Sequence, residues 1–315
     1  MKLAAHGKVF LAGEYAVLDG APALVVGIDQ DLHASCEPAP KLQILRSGLL
    51  WDGGPPPEEL RFAARAAQLC GASYRLIYED DLPKGLGSSA AASVIAVRAA
   101  GNRSDDEVIA LAAAAHWAEQ GGAGSGADVA ASALGGVLEI RARIPWRSPE
   151  EVMSLPVDSV RNSRPLEFRR VKTPPDLRLL LAFTGREANT RKLVREVRAF
   201  AEGDPRRWAV RAADISGAST ALRDALESGD REAALAAVRR GAAAMGTLGE
   251  QVGAPIVTEE LAHACALASS AGSAAKPSGA GGGDCAVVVA FGDEALQIAE
   301  NALRPHFSVL RVSPA

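Results

Sequence analysis

The chain has 315 residues, 48% of them hydrophobic, with 34 Lys and Arg against 38 Asp and Glu for a net charge of −4. That is enough apolar side chain for one large core or two modest ones, and domain-size statistics favour two lobes with a cleft between them. The small charge excludes a global field that would draw in nucleic acid or an anionic membrane, so any anion has to be bound by local groups.

The first forty residues read as short strands at 9–11, 23–28 and 32–36, separated by Asp19-Gly20 and by Asp29. Between Glu58 and Cys70 the apolar positions Leu60, Ala63, Ala64, Ala67 and Leu69 fall near helical spacing, and 73–79 then alternates as a strand. After Pro83 and a glycine-serine turn, 89–100 is nearly all alanine, valine and isoleucine, the composition of a helix buried on most faces. Ser104 and Glu107 form a capping box that opens a further helix running to about Gln120. A second glycine-rich turn, 121–126, precedes a short segment and a strand at 137–143.

Prolines, serines and mixed charge mark 145–165 as the connection between lobes, which divides the chain into 1–160 and 161–315. In the second half, strands at 166–171, 177–183, 286–291 and 309–313 frame helical stretches at 190–201, 205–227, 231–251, 258–271 and 294–303. That order predicts an α+β sandwich of ferredoxin-like type with helices on one face. The cysteines Cys36, Cys70, Cys265 and Cys285 form no CxxC pair, which argues against a zinc site or disulfide scaffold and fits a reducing cytoplasm. Polar residues come too early in MKLAAHGKVF for a signal-peptide core, and no apolar run approaches membrane-spanning length, so a soluble, cytoplasmic protein with no membrane partner is expected.

Three segments carry chemistry. Lys84, Gly85, Leu86, Gly87, Ser88, Ser89 and Ala90 lie between a predicted strand and a predicted helix. Glycines there let the backbone approach a ligand, the amides and dipole of the helix start suit a phosphate, and the two serines offer hydroxyls to a phosphate oxygen or a magnesium ion. A serine-capped tight turn is the plain alternative. A dinucleotide fingerprint, Gly85-x-Gly87-x-x-Ala90 with Asp105 or Asp106 as its acid, is weakened because the capping box already accounts for those aspartates and the motif does not open the chain. No GxxxxGK[ST] occurs. Ser278 to Cys285, SGAGGGDC, concentrates glycines that cost backbone entropy and so require unusual dihedrals or close approach to a ligand. Lys8, between Gly7 and an apolar strand, reads by itself as a surface lysine.

Together these segments resemble the three signature motifs of the GHMP kinase superfamily, in the right order and over most of the chain. GEYAVLDGAPALV (13–25), the run from His116 through GSGADVA (124–130), FTGREANT (183–190) and SGAGGGDC look most like the branch that phosphorylates 5-phosphomevalonate. The resemblance implies a two-lobed α+β fold, an N-terminal α/β lobe with the phosphate loop and a C-terminal ferredoxin-like lobe. It also implies ATP and magnesium as cofactors, Lys8 and Asp128 as catalytic residues, and Ser88 and Ser89 as metal ligands. On the acceptor side it points to Tyr15, Ser125, Gly126, Ser278, Gly279, Ala280 and Gly281, in a monomer or homodimer, and because a phosphorylated acceptor calls for cations, Lys84, Arg186 and Lys192 are candidates, with a solvated surface charge as the plain alternative for each. Two positions depart from the pattern: His6 stands where proline is usual, and Trp117 falls where mevalonate kinases place a magnesium-binding glutamate, with Glu119 nearby but out of register. Rival readings are a sister kinase such as mevalonate kinase, a dinucleotide-dependent oxidoreductase, and a relative that binds nucleotide without catalysis.

Overall fold

Residues 1–315 are all described in the computed structural model. The strands are β1 (Lys2–Ala12), β2 (Ala23–Pro38), β3 (Gln43–Arg46), β4 (Leu49–Trp51), β5 (Tyr74–Tyr78), β6 (Gly136–Ala142), β7 (Leu166–Arg170), β8 (Leu177–Phe183), β9 (Ala274–Pro277), β10 (Cys285–Phe291) and β11 (Ser308–Val312). The helices are α1 (Arg61–Cys70), α2 (Ser88–Ala99), α3 (Asp105–Glu119), α4 (Ala127–Leu134), α5 (Pro149–Ser154), α6 (Val157–Arg161), α7 (Thr190–Gly203), α8 (Pro205–Ser228), α9 (Arg231–Val252), α10 (Glu259–Ser270) and α11 (Asp293–Leu303).

The first sheet is built on β2, a continuous strand of 16 residues that pairs with β1 on one edge and with β5 and β6 on the other. Asp29, expected to break it, sits instead in a bulge. The register jumps from His6↔Asp31 to Gly7↔Ile28, and the Asp29 N–H donates to the Ser313 carbonyl at 3.0 Å while its carboxylate accepts from the Ser313 N–H at 2.9 Å. The extra residues turn β2 toward the C-terminal tail, which thereby docks on the first sheet. The hairpin β3–β4 was not expected. Its two-residue turn has positive φ at both Ser47 and Gly48, the twist that tight hairpins favour.

The stretch 145–165 is not the connection between lobes. Its prolines and serines start helices: Ser148 accepts from the Glu151 N–H ahead of Pro149, and Pro156 caps α6. Both short helices pack on α3, and β7, expected in the second half, pairs with β6 in the first sheet. The chain crosses between sheets at 171–176.

The second sheet has the order β11-β8-β10-β9, antiparallel throughout. With one helical connection before β9 and another before β11, this is the expected ferredoxin-like arrangement. Helices cover both of its faces, not one. Val287 and Val289 of β10 join a core of 70 buried residues with α8 and α9, while Ala286, Val288 and Ala290 join a core of 12 with α10 and α11. A strand buried on both faces has no polar side to alternate, which is why CAVVVAF reads as an unbroken apolar run. The larger core also contains α1 to α4 and both halves of β2, so the lobes share one interior. No helix is long and apolar enough to cross a membrane.

Candidate active site

A cavity of about 860 Å³ lies where the lobes meet, lined by parts of all three segments singled out in the sequence. The turn before α2 forms because Gly85 and Gly87 take φ of +89° and +82°, a region closed to most side chains. Leu86 between them is buried, and its carbonyl accepts from the Lys8 N–H at 2.8 Å. A Cβ on Gly87 would lie 2.7 Å from the Lys8 stem, and one on Gly85 would lie 2.9 Å from Asp284 Cβ. The N-terminal strand, the central turn and the late glycine loop therefore touch at one place.

Helix α2 starts without a side-chain cap, and the amides of Ser88, Ser89 and Ala90 have no acceptor in the protein. Such a helix start offers unpaired N–H donors that suit an anion. Ser88 and Ser89 face the cavity; Leu86 and Ala90 are buried beneath it. Ser88 Oγ accepts from Arg46, which also pairs with Asp81 and lies 5.2 Å over the Tyr78 ring. Ser89 Oγ lies 3.2 Å from Nε2 of His116.

Asp128 stands in the first turn of α4, an eight-residue helix absent from the sequence reading because it opens at Gly126 with no polar cap. Its Oδ1 accepts from the Val129 N–H at 3.0 Å, and its Oδ2 lies 3.7 Å from His116 Nε2. Ser125 lines the cavity, while Gly126 is buried against Ala113. Tyr15 lines it too and donates its hydroxyl proton to the Ala280 carbonyl; burial, then the neighbouring Glu14 charge, pushes that hydroxyl far up. Ser278 Oγ accepts from the Phe10 N–H at 3.0 Å, tying the last loop to β1.

The glycine loop divides in two. Gly279 and Ala280 line the cavity, and a Cβ on Gly279 would meet nothing within 4 Å, whereas one on Gly281 would sit 2.1 Å from the Ile256 carbonyl. Gly281 thus serves packing inside the second lobe. Asp284 lines the cavity; burial raises its carboxyl, against the pull of the Ala188 N–H and the Lys8 charge.

The expected acceptor-side cations are elsewhere. Lys84 pairs with Glu187 at 2.8 Å, Arg186 with Glu260 at 2.9 Å and Lys192 with Glu196 at 3.8 Å, and none of the three lines the cavity. Arg191 and Arg61 line it instead, and Arg191 makes no ion pair. Two buried features also escaped the sequence reading. One is the Glu14–Lys276 ion pair, the other the burial of His116, named in the sequence only as part of a motif, against Ser89 and Asp128; its imidazole is pushed down by burial, with Asp128 pulling up and Lys8 down. The available signal was a lone histidine in the otherwise apolar helix ALAAAAHWA, where a polar ring needs partners. Trp117 packs against Trp146, and Glu119 is held by Arg61 and Arg65.

The chain matches the family models for the GHMP kinases N terminal domain over residues 60–136 and for GHMP kinases C terminal over residues 222–309. It is 31% identical to a phosphomevalonate kinase of Streptomyces sp. (strain CL190), with 90% of this chain and 88% of the relative covered. It is 29% identical to a mevalonate kinase of Aeropyrum pernix, with 91% and 87% covered. Among solved structures, Streptococcus pneumoniae phosphomevalonate kinase in complex with phosphomevalonate and AMPPNP superposes with a TM-score of 0.86 over the whole of both chains at 20% identity. The chain belongs to the GHMP kinase family.

Proposed function

We propose that the protein transfers the γ-phosphoryl group of ATP to 5-phosphomevalonate, giving 5-diphosphomevalonate and ADP. The observation that carries this reading is one cavity in which Lys8, the unpaired amides of α2 and the unpaired Arg191 face the same space. That is positive charge for the nucleotide phosphates and for an anionic acceptor, where an uncharged acceptor would need it only for the nucleotide. The Streptomyces relative supports the same acceptor.

Phosphoryl transfer needs positioning and charge neutralisation more than covalent help. The amides of 88–90 and the Ser88 hydroxyl, backed by Arg46, hold nucleotide phosphates. Lys8, its stem laid across Gly87, is a fixed positive charge between donor and acceptor. Arg191 takes the phosphate already on the acceptor. Magnesium, when bound, neutralises phosphate charge, and Ser89 and Asp128, both within 4 Å of His116 Nε2, are the residues that would hold it. No cluster of three acidic, His or Cys ligands is present, which fits an ion that keeps waters and takes phosphate oxygens as its other ligands. Ser88, also expected as a metal ligand, faces a guanidinium and suits an anion better. A phosphate monoester has a second pKa near 6 and is largely ionised at neutral pH, so Asp128 has little proton to remove and acts by positioning.

A second reading, mevalonate as acceptor, is favoured by Asp128 itself, a cavity-lining carboxylate placed to take an alcohol proton, and by the Aeropyrum relative. The free cysteines fit a cytoplasmic setting for either. ADP release measured in parallel with mevalonate, 5-phosphomevalonate, homoserine and galactose separates the readings. Release with 5-phosphomevalonate alone is expected. Release with mevalonate alone would transfer the assignment to the second reading, and heat protection by NAD but not by ATP with magnesium would overturn both.

A further inference from the structure

We propose that His116 is a positioning residue that fixes the Ser89 hydroxyl from behind the cavity through one N–H, at Nε2, with the Asp128 carboxylate alongside. Every residue of α3 from Val108 to Ala118 is buried, and His116 has no solvent exposure. A polar ring in that environment is costly unless partnered. Nε2 lies 3.2 Å from Ser89 Oγ and 3.7 Å from Asp128 Oδ2, whereas Nδ1 has no partner.

The two neutral tautomers differ sharply here. A proton on Nδ1 leaves a buried N–H without an acceptor and turns the Nε2 lone pair toward a carboxylate. A proton on Nε2 donates to Ser89 Oγ with Asp128 beside it, and leaves only an idle acceptor on Nδ1. Orphaned buried donors are the rarer and costlier case, so the proton sits on Nε2. The Phe62 ring, 4.7 Å away and tilted 31°, holds the imidazole plane. Ser89 Oγ then accepts from behind, and its own proton and remaining lone pair turn to the cavity, beside the unpaired amides of α2. His116 touches no ligand itself, and the role rests on the nucleotide reading above.

The test is the affinity of the full-length protein for ATP with magnesium, measured calorimetrically without any acceptor. His116→Gln keeps an amide nitrogen near the Nε2 position and should bind within about 3-fold of the unsubstituted protein. His116→Asn, whose amide reaches only the Nδ1 position, and His116→Leu should bind about 10-fold more weakly, as for one lost hydrogen bond. In a Ser89→Ala background, His116→Asn should cause no further loss, because the two act through one contact. Equal affinity of the Gln and Asn variants, or additive losses in the double variant, would overturn the proposal. If His116→Leu does not fold, the Gln–Asn pair and the double variant decide. Failure of the unsubstituted protein to bind ATP would instead overturn the nucleotide reading and this role with it, whereas failure with 5-phosphomevalonate alone leaves the test intact.

Discussion

Lys276 on β9 reaches Glu14 across 262 positions of sequence, and the side chains are 1% and 3% exposed. The same ammonium donates to the Pro277 carbonyl, and its stem passes beside Gly241 on α9. The pair fastens the end of β1 to the strand that leads into the glycine loop, so it sets the distance between two walls of the cavity. Breaking a buried pair from one side leaves an uncompensated charge. Lys276→Met should therefore destabilise the protein by about 3–5 kcal/mol in urea unfolding. Adding Glu14→Gln should recover part of that loss, whereas further destabilisation would show that the carboxylate is neutralised by something other than Lys276.

Arg191, like Lys8, is a cavity cation with no acidic partner. Arg191→Ala should raise KM for the phosphorylated acceptor by about 10- to 100-fold, the effect of losing a charged hydrogen bond, with little change in ATP affinity. Lys192→Ala, on the same helix but paired with Glu196, should leave KM within about 2-fold. The reverse ranking in steady-state kinetics would place the acceptor phosphate elsewhere.

Lys8 and Asp128 differ in the dependence they should show on the acceptor. Lys8→Ala should lower kcat by about 10² to 10³, as for a lost electrostatic contact to the transition state. Asp128→Asn should lower it less, because an ionised phosphate acceptor needs no base. Equal losses would mean that the acceptor is an alcohol or that the role of Asp128 is that of a base.

Glu300 on α11 offers a check on the fold that is independent of catalysis. Burial alone would push its carboxyl up, but hydrogen bonds and charge from Arg311 and Arg304 outweigh burial and hold it below the usual range. Its contribution to stability is complete above the unfolded pKa of about 4.3 and is lost as pH falls through the lower folded value. Glu300→Gln should lower Tm at pH 7, and the gap to the unsubstituted protein should close as pH falls below the unfolded value and through the lower folded one. A gap that stays constant over that range would remove the carboxylate as its cause.

Local chemistry made much of this chain legible. The helices α2 and α3 were readable because alanine, valine and isoleucine throughout, with Ser104 and Glu107 at one start, leave few alternatives. The three chemical segments were readable because glycine clusters and a lysine between glycine and an apolar strand are local patterns. The boundary at 145–165 was misread for an equally local reason: Pro149 and Pro156 can end a lobe or start a helix, and only packing against α3 makes them starts.

The sequence by itself determined the longer helices, most of the core strands and which loops are unusual, since propensity, capping and periodicity act over a few neighbouring residues. The tertiary structure alone decided which polar groups meet. Arg186, Arg191 and Lys192 are near neighbours of one charge, and helix phase together with Glu260 and Glu196 leaves only Arg191 facing the cavity. His116 and Ser89 are 27 positions apart, and Glu14 and Lys276 are 262 apart. Such contacts are selected by burial, where a polar group must find its partner within the fold, and no local pattern encodes that partner.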